Sequence, residues 1–305
     1  MTKKISYSSV NQFHMCPYAF HLNKVKKIKK MHKSRALYIG SVIHSLLESL
    51  NRGEDWINLL HTMEQELTLE DKLSISEESI LWLEDTINGY IDCFKDDVYE
   101  VVELEYKISV RFKNVSFLGY VDGIVKYGDK YYILERKTSS STFPKEFNLL
   151  LREQPYIYAY FIEKIMNIKI EGIIWEFISS KPLTEIRIKN NGEPYANSLT
   201  STPYMWNKQF NSTEYPKTLT YLNVFDRTIM PIEREHLKRM VSNFVEKSLV
   251  VDSSIKFKKY DSVNCTRMCN YSTWCMYELK DLDPEVLIGS VYYREEVIID
   301  ENTED

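Results

Sequence analysis

Apolar residues recur at helical spacing through "RALYIGSVIHSLLESLNRG", where Ile39, Val42, Ile43, Leu46, Leu47 and Leu50 share one face and Gly53 marks the stop. Upstream, "SYSSVNQFHMCPYAFHLNKV" offers serine caps followed by Val10, Phe13 and Phe20, and predicts another helix. "DWINLLHTMEQEL" and "EESILWLEDTINGYIDCFKDD" extend the helical region to about residue 97. The period then changes to two. "YEVVELEYKISVRF", "VSFLGYVDGIVKY" and "KYYILERKT" alternate as strands, and the tight turn Gly128-Asp129 joins the last two into an antiparallel meander. "KEFNLLLREQPYIYAYFIEKIMN" reads as a helix that kinks or restarts at Pro155, and "IKIEGIIWEFISS" as a further strand. Residues 181–230, rich in Asn, Thr, Ser, Tyr and Pro, carry weak periodicity and read as an insertion or lid. "PIEREHLKRMVSNFVEKSLV" is the last clear helix, with Pro231 near its first turn. Helices, three strands, helix, strand, helix: this order predicts an α/β or α+β core, a mixed sheet with helices packed on it.

Composition adds bounds rather than identity. The 305 residues are 44% hydrophobic and 27% charged, with 9 Gly and 9 Pro, an ordinary globular balance. No run approaches the roughly 18 apolar residues of a membrane span. The start, "MTKKISYSSVNQFHMCP", lacks an apolar signal core, so a cytoplasmic protein without membrane contact is expected. The net charge of −5 argues against wholesale coating of nucleic acid. Locally, Lys24, Lys26, Lys27, Lys29, Lys30, Lys33 and Arg35 crowd one segment, either a solvated face or a phosphate contact. The tail "REEVIIDENTED" is acidic and expected to fray. Five cysteines are few for a secreted scaffold, yet Cys265, Cys269 and Cys275 cluster, which invites a metal.

The chemistry concentrates on the hairpin. Glu135 and Lys137 point to one face of their strand and Arg136 to the other. Alone, that triplet is as readily a weak salt bridge at a strand end as a metal ligand beside a charge stabiliser. Asp122, however, sits among Val121, Ile124 and Val125, where a lone carboxylate is costly unless paired or coordinated. Asp122 and Glu135 lie equally far from the Gly128-Asp129 turn and can be cross-strand neighbours. Two adjacent carboxylates repel unless a divalent cation lies between them.

An Asp, a hairpin and then Glu-x-Lys resemble the PD-(D/E)XK nucleases, here as Asp122, Glu135 and Lys137. "GSVIHSLLE" resembles the histidine-bearing helix of the RecB-like branch, through His44, and "QPYIY" resembles its Q-x-x-x-Y motif, through Gln154 and Tyr158. The start "SSVNQFHMCPYAFHL" is similar to that of RecB-like nucleases with an iron–sulfur cluster, such as the AddB nuclease domain and the CRISPR-associated RecB-like exonuclease. Those proteins keep one cysteine near the start and three near the end. Cys16, Cys265, Cys269 and Cys275 fill that pattern, with Cys93 left over and C-x3-C-x5-C in place of the usual C-x2-C-x5-C.

The resemblance implies a restriction-endonuclease-like core in a single domain, residues 1–305. Its parts would be a helical part (1–100), a catalytic sheet core (101–180), the insertion or lid (181–230), a helix with cluster cysteines (231–280) and the acidic tail (281–305). It implies a metal-dependent deoxyribonuclease, an exonuclease on single-stranded or end-containing DNA in recombination, repair or replication, bacterial or phage. The alternative is a catalytically silent DNA-binding or partner-dependent subunit. One or two Mg2+ or Mn2+ ions would be held by His44, Asp122, Glu135 and the backbone carbonyl of Arg136. Lys137 would position the attacking water or stabilise the phosphate; Gln154 would orient Lys137 or a phosphate, and Tyr158 would brace that helix. Glu105 would stand behind them. The four cysteines would hold a 4Fe-4S cluster, with zinc as the alternative occupant. Lys26, Lys27, Lys29, Lys30, Lys33 and Arg35 would contact DNA, and a helicase or recombination protein is the implied partner, since the chain has no helicase motif.

Overall fold

The computed structural model describes residues 3–31, 34–67, 82–141, 143–195, 202–217, 219–221, 224–251, 265 and 269–295. Along the chain run β1 (Lys3–Ile5), α1 (Tyr7–Met15), α2 (Pro17–Phe20), a π-helical turn (His21–Val25), β2 (Ile28–Lys30), α3 (Arg35–Asn51), α4 (Trp56–Gln65) and α5 (Leu83–Phe94). Then come β3 (Glu100–Phe112), β4 (Val115–Tyr127), β5 (Lys130–Ser139), α6 (Glu146–Leu150), α7 (Glu153–Met166) and β6 (Ile170–Ser179). The rest is α8 (Pro203–Phe210), β7 (Phe225–Pro231), α9 (Arg234–Leu249), α10 (Ser272–Leu279), a 3-10 turn (Pro284–Leu287) and β8 (Tyr292–Arg294). Two units divide the chain: residues 1–33, 109–119 and 242–305 form one, and 34–108 and 120–241 the other.

The second unit holds the mixed sheet flanked by helices. β4 and β5 pair antiparallel through the expected turn, with Tyr127 opposite Lys130 and Gly123 opposite Leu134. Gly128 takes φ +60° there, the left-handed conformation such a turn requires. β5 and β6 are parallel, which needs a crossover, and α7 supplies it. That helix restarts at Glu153 with Pro155 in its first turn, where a missing N–H costs nothing. β6 is buried on both faces, as a central strand must be. Helices α3, α4 and α5 bury Ile43, Leu46, Leu60 and Ile87 in one core with Ile178 and Phe225. Among the described residues no helix is long and apolar enough to cross a membrane.

In this unit the structure departs from the sequence reading around β7. Residues 225–230, assigned to the insertion, and Pro231, assigned to the next helix, form β7, which pairs antiparallel with β6. Pro231 therefore ends a strand, and the helix after it begins at Arg234. The fit at β7 is close: a Cβ on Gly172 would lie 2.4 Å from the Met230 carbonyl oxygen, so only glycine lets the two backbones approach.

The first unit gathers both chain ends. β1 runs parallel to Val115–Phe117, a strand too short to read from sequence. Part of the lysine segment is a strand, since Ile28–Lys30 pairs antiparallel with Tyr292–Arg294. Part of the supposed tail is thus a strand, while residues 296–305 lie outside the described set. Around this ribbon, Tyr18, Leu22, Ile28, Tyr271, Trp274 and Tyr292 form a small buried core.

Candidate active site

Five elements of the second unit bring the predicted residues together. Continuing the β4–β5 register one residue beyond Gly123 and Leu134 sets Asp122 opposite Glu135. Glu135 is 2% exposed, and Lys137 Nζ lies 2.5 Å from its Oε1. Burial drives the Glu135 pKa up to about 7, with Lys137 opposing and the Asp122 charge adding to the rise. Burial pulls the Lys137 pKa down, yet Glu135 and Asp122 outweigh it and hold the ammonium above its usual range.

His44 comes from α3, its Nδ1 3.9 Å from Asp122 Oδ1. Desolvation lowers its pKa against the pull of Asp122, with the Arg136 and Lys137 charges lowering it further, so the ring is biased to the neutral form that binds metals. A Cβ on Gly40, one turn earlier, would fall 2.9 Å from Thr138 Oγ1, so this glycine lets α3 lie tightly on the end of β5. On α7, Gln154 Nε2 donates to Tyr158 OH at 3.0 Å, and the Tyr120 backbone N–H also donates to that hydroxyl. Burial raises the Tyr158 pKa to about 12, so it stays a phenol.

His44 and Asp122 line a cleft of about 520 Å3 together with Glu48, Glu105 and Thr138. Glu105 lies in the middle of β3 with φ +48°. Partial desolvation and the charges of Asp122 and Glu48 raise its pKa to about 7. Sequence reasoning missed several neighbours. Arg152 is near enough for its charge to act on both Glu135 and Lys137. Tyr120 is 51% exposed on the same strand face as Asp122, a placement that alternation alone could have flagged. The Arg136 side chain, aimed to the opposite face as expected, is buried there against Glu176. The Arg136 backbone also meets the site, its N–H donating to Asp122 Oδ2 at 2.7 Å.

Among the described residues no three of His, Cys, Asp and Glu converge into a ready-made metal site. The donor chemistry nevertheless suits a hard divalent cation: two carboxylates forced together, one of them biased by burial toward its protonated form, beside an imidazole biased to neutrality. Without metal, the wild type is expected to lose more stability than Glu135→Gln as pH rises from 4.5 to 7. Folded, Glu135 keeps its proton up to about 7; unfolded, only to about 4.5. The native state therefore binds more protons across that window, and this stabilisation is full below it and lost as pH rises through it. Thermal unfolding of both proteins at several pH values measures the difference; parallel curves would refute the shifted carboxyl.

In the first unit, Cys16, Cys269 and Cys275 pack on the one small core, and Cys269 senses the charges of Cys16 and Cys265. Two backbone N–H groups donate to sulfur at 3.4 Å, Ala19 to Cys16 and Tyr271 to Cys269. Burial raises the Cys269 pKa, and the Tyr271 N–H opposes that rise only in part. Cys93 stands elsewhere, its thiol pushed up to about 12 by burial. The lysines are partly engaged: Lys29 contacts Asn23 at 2.7 Å and Glu295 at 3.6 Å, and Lys26 lies 5.9 Å over the Trp274 ring. Lys33 lies outside the described residues, and Arg35 opens α3 in the other unit.

No curated protein matches the chain. Among solved structures it is similar to a candidate exonuclease from Eubacterium rectale, at 11% identity and TM-score 0.48, over 87% of this chain and 93% of that one. It is also similar to the protein SSO0001, at 15% identity and TM-score 0.29, over 70% and 76% of the two chains. A sequence profile of the PD-(D/E)XK nuclease superfamily matches residues 4–276. That match spans the hairpin with Asp122, Glu135 and Lys137, the helix with His44 and the clustered cysteines, and the chain belongs to the PD-(D/E)XK nuclease superfamily.

Proposed function

We propose that the chain is a metal-dependent deoxyribonuclease, an exonuclease acting on single-stranded DNA or duplex ends. The observation that carries this reading is Asp122 opposite Glu135 across the hairpin, with Lys137 bonded to Glu135. Asp122, Glu135, His44 and the Arg136 carbonyl are the ligands for Mg2+ or Mn2+. When bound, the ion supplies Lewis acidity and neutralises charge at the scissile phosphate. Lys137, held by Glu135, keeps its proton and presents a cation to the phosphate as charge builds there. Gln154 orients Lys137 or a phosphate, Tyr158 braces α7 through its bond to the Tyr120 backbone, and the Arg152 charge adds positive potential. Recombination, repair or replication is the setting such an activity serves, in a bacterium or a phage, with a helicase or recombination protein as partner.

Cys16, Cys265, Cys269 and Cys275 are proposed to hold a 4Fe-4S cluster, supported by the shared core and the two N–H···S bonds. Its role is structural, clipping the first segment of that unit to the last. Anaerobic purification distinguishes the occupants, since an iron–sulfur protein is brown and a zinc protein colourless. The basic residues Lys26, Lys27, Lys29, Lys30, Lys33 and Arg35 are proposed phosphate contacts, so binding should weaken steeply with salt.

The test uses anaerobically purified protein and end-labelled single- and double-stranded DNA with Mn2+, Mg2+ or EDTA. Degradation with either ion and none in EDTA is expected, and the product ladder gives polarity. Bound but intact DNA in every lane would sink the enzymatic reading and leave a DNA-binding subunit. Tyr120, exposed beside Asp122, is placed to stack on a base. Tyr120→Ala should raise KM for single-stranded DNA by an amount corresponding to about 1–3 kcal/mol, while Tyr120→Trp retains affinity. Equal KM values in steady-state assays of the three proteins would remove Tyr120 from the substrate path.

A further inference from the structure

We propose that the buried ion cluster around Glu176 is a positioning device that sets the Asp122 carboxylate through the backbone of Arg136. The inference rests on the nuclease reading for what that carboxylate does. Its basis is strand alternation: Glu135 and Lys137 share one face of β5, where they bond to each other, so Arg136 must enter the opposite layer. There it is 2% exposed, next to Glu176 at 0% exposure, its register partner on β6.

Both Glu176 oxygens of that contact are held. Arg136 Nε lies 3.0 Å from Glu176 Oε2, which also accepts from Tyr90 OH at 2.9 Å. Arg136 Nη2 donates to Tyr99 OH at 3.0 Å, and Tyr99 OH donates to Glu176 Oε1 at 3.1 Å. Arg227 of β7 closes the far side, its Nε and Nη2 at 3.0 and 2.6 Å from the same Oε1. The Arg227 guanidinium is further fixed by the Phe94 ring at 4.0 Å and by Asp97 at 3.2 Å. Arg136 is thus pinned directly by Glu176 and Tyr99, and its backbone N–H is the group that donates to Asp122 Oδ2.

One oxygen of Asp122 is thereby committed to the backbone, and the other, Oδ1, is turned to His44. A carboxylate free to rotate would offer either oxygen to an incoming cation; this one presents Oδ1. Stability alone does not account for the cluster, because apolar replacements of buried ion groups are often as stable or more so. A charged cluster does what apolar packing cannot: it fixes both the direction and the height of one strand residue.

The test pairs Arg136→Lys, which keeps the charge but cannot reach Glu176 and Tyr99 together, with Tyr99→Phe, which deletes one hydroxyl. Three readouts are taken on the full chain: Mn2+ binding followed by the spin-resonance signal of free Mn2+, steady-state cleavage of single-stranded DNA, and amide exchange at Arg136. Both variants should bind Mn2+ more weakly, by about tenfold to a hundredfold for Arg136→Lys, with kcat reduced and KM unchanged. The Arg136 amide should exchange faster in Tyr99→Phe. Variants that match the wild type in Mn2+ affinity and amide exchange, and differ only in urea midpoint, would overturn the proposal. A wild type that neither binds Mn2+ nor cuts DNA, but whose Arg136 amide responds to Tyr99→Phe, would sink the nuclease reading and leave the coupling standing.

Discussion

Lys137→Ala is expected to leave a folded protein that binds DNA and barely cuts it, with kcat lower by about a hundredfold to a thousandfold, the usual cost of losing one preorganised electrostatic donor. The geometry makes the effect specific. Lys137 reaches 2.5 Å from Glu135 and is kept protonated by two carboxylates, so it is a fixed charge rather than a mobile one. Its loss acts twice, since it removes the cation facing the phosphate and leaves buried Glu135 without the partner that opposes its protonation. KM should change little, because one charge is a small share of the contacts that hold DNA. Single-turnover cleavage with circular dichroism as a folding control checks the expectation; a variant that cuts at the wild-type rate would exclude Lys137 from the chemistry.

The largest stability effect is expected at Glu176. Its carboxylate is wholly buried and accepts from Arg136, Arg227, Tyr90 and Tyr99. Replacing it with leucine fills most of the volume but leaves two guanidinium groups without their shared counter-ion. Removing one partner of a buried ion group costs about 3–5 kcal/mol, most of the margin of an ordinary domain. Burial alone would raise the Glu176 pKa, yet the two arginines outweigh it and hold the carboxyl below the usual range. The charged state is therefore the one the fold has built for. Urea unfolding of Glu176→Leu, with the m-value compared to wild type, measures the loss; an unchanged midpoint would mean the cluster is energetically idle.

The two predictions also mark where the sequence could and could not be read. The Lys137 side was legible because it depends on local rules. Gly128-Asp129 fixes the hairpin, the hairpin fixes the register, and the register sets Asp122 opposite Glu135. The Glu176 side was not. Alternation sends Arg136 away from the cleft, but nothing in "IIWEFIS" tells that its acid receives two arginines. Arg227, moreover, lies in a stretch whose Asn, Thr and Pro content masks a strand. β1, β2 and β8 have three residues each, too few for periodicity to register. The pairing of Gln154 with Tyr158 follows from helical spacing, whereas the Tyr120 bond to that hydroxyl joins two elements and leaves no local trace.

The pairing of Ile28–Lys30 with Tyr292–Arg294 has a consequence in time as well as in space. A ribosome adds roughly 5–20 residues per second, so the first of these strands waits some tens of seconds for the second. Until then Leu22, Ile28 and Tyr18 have no Trp274, Tyr271 or Tyr292 to pack against. The nascent chain must therefore carry a sticky basic segment and an unshielded Cys16 past the completion of the sheet. A chain truncated before Cys265 would keep the hairpin and the pairing of β1, yet leave Tyr18, Leu22 and Ile28 exposed to chaperones and proteases.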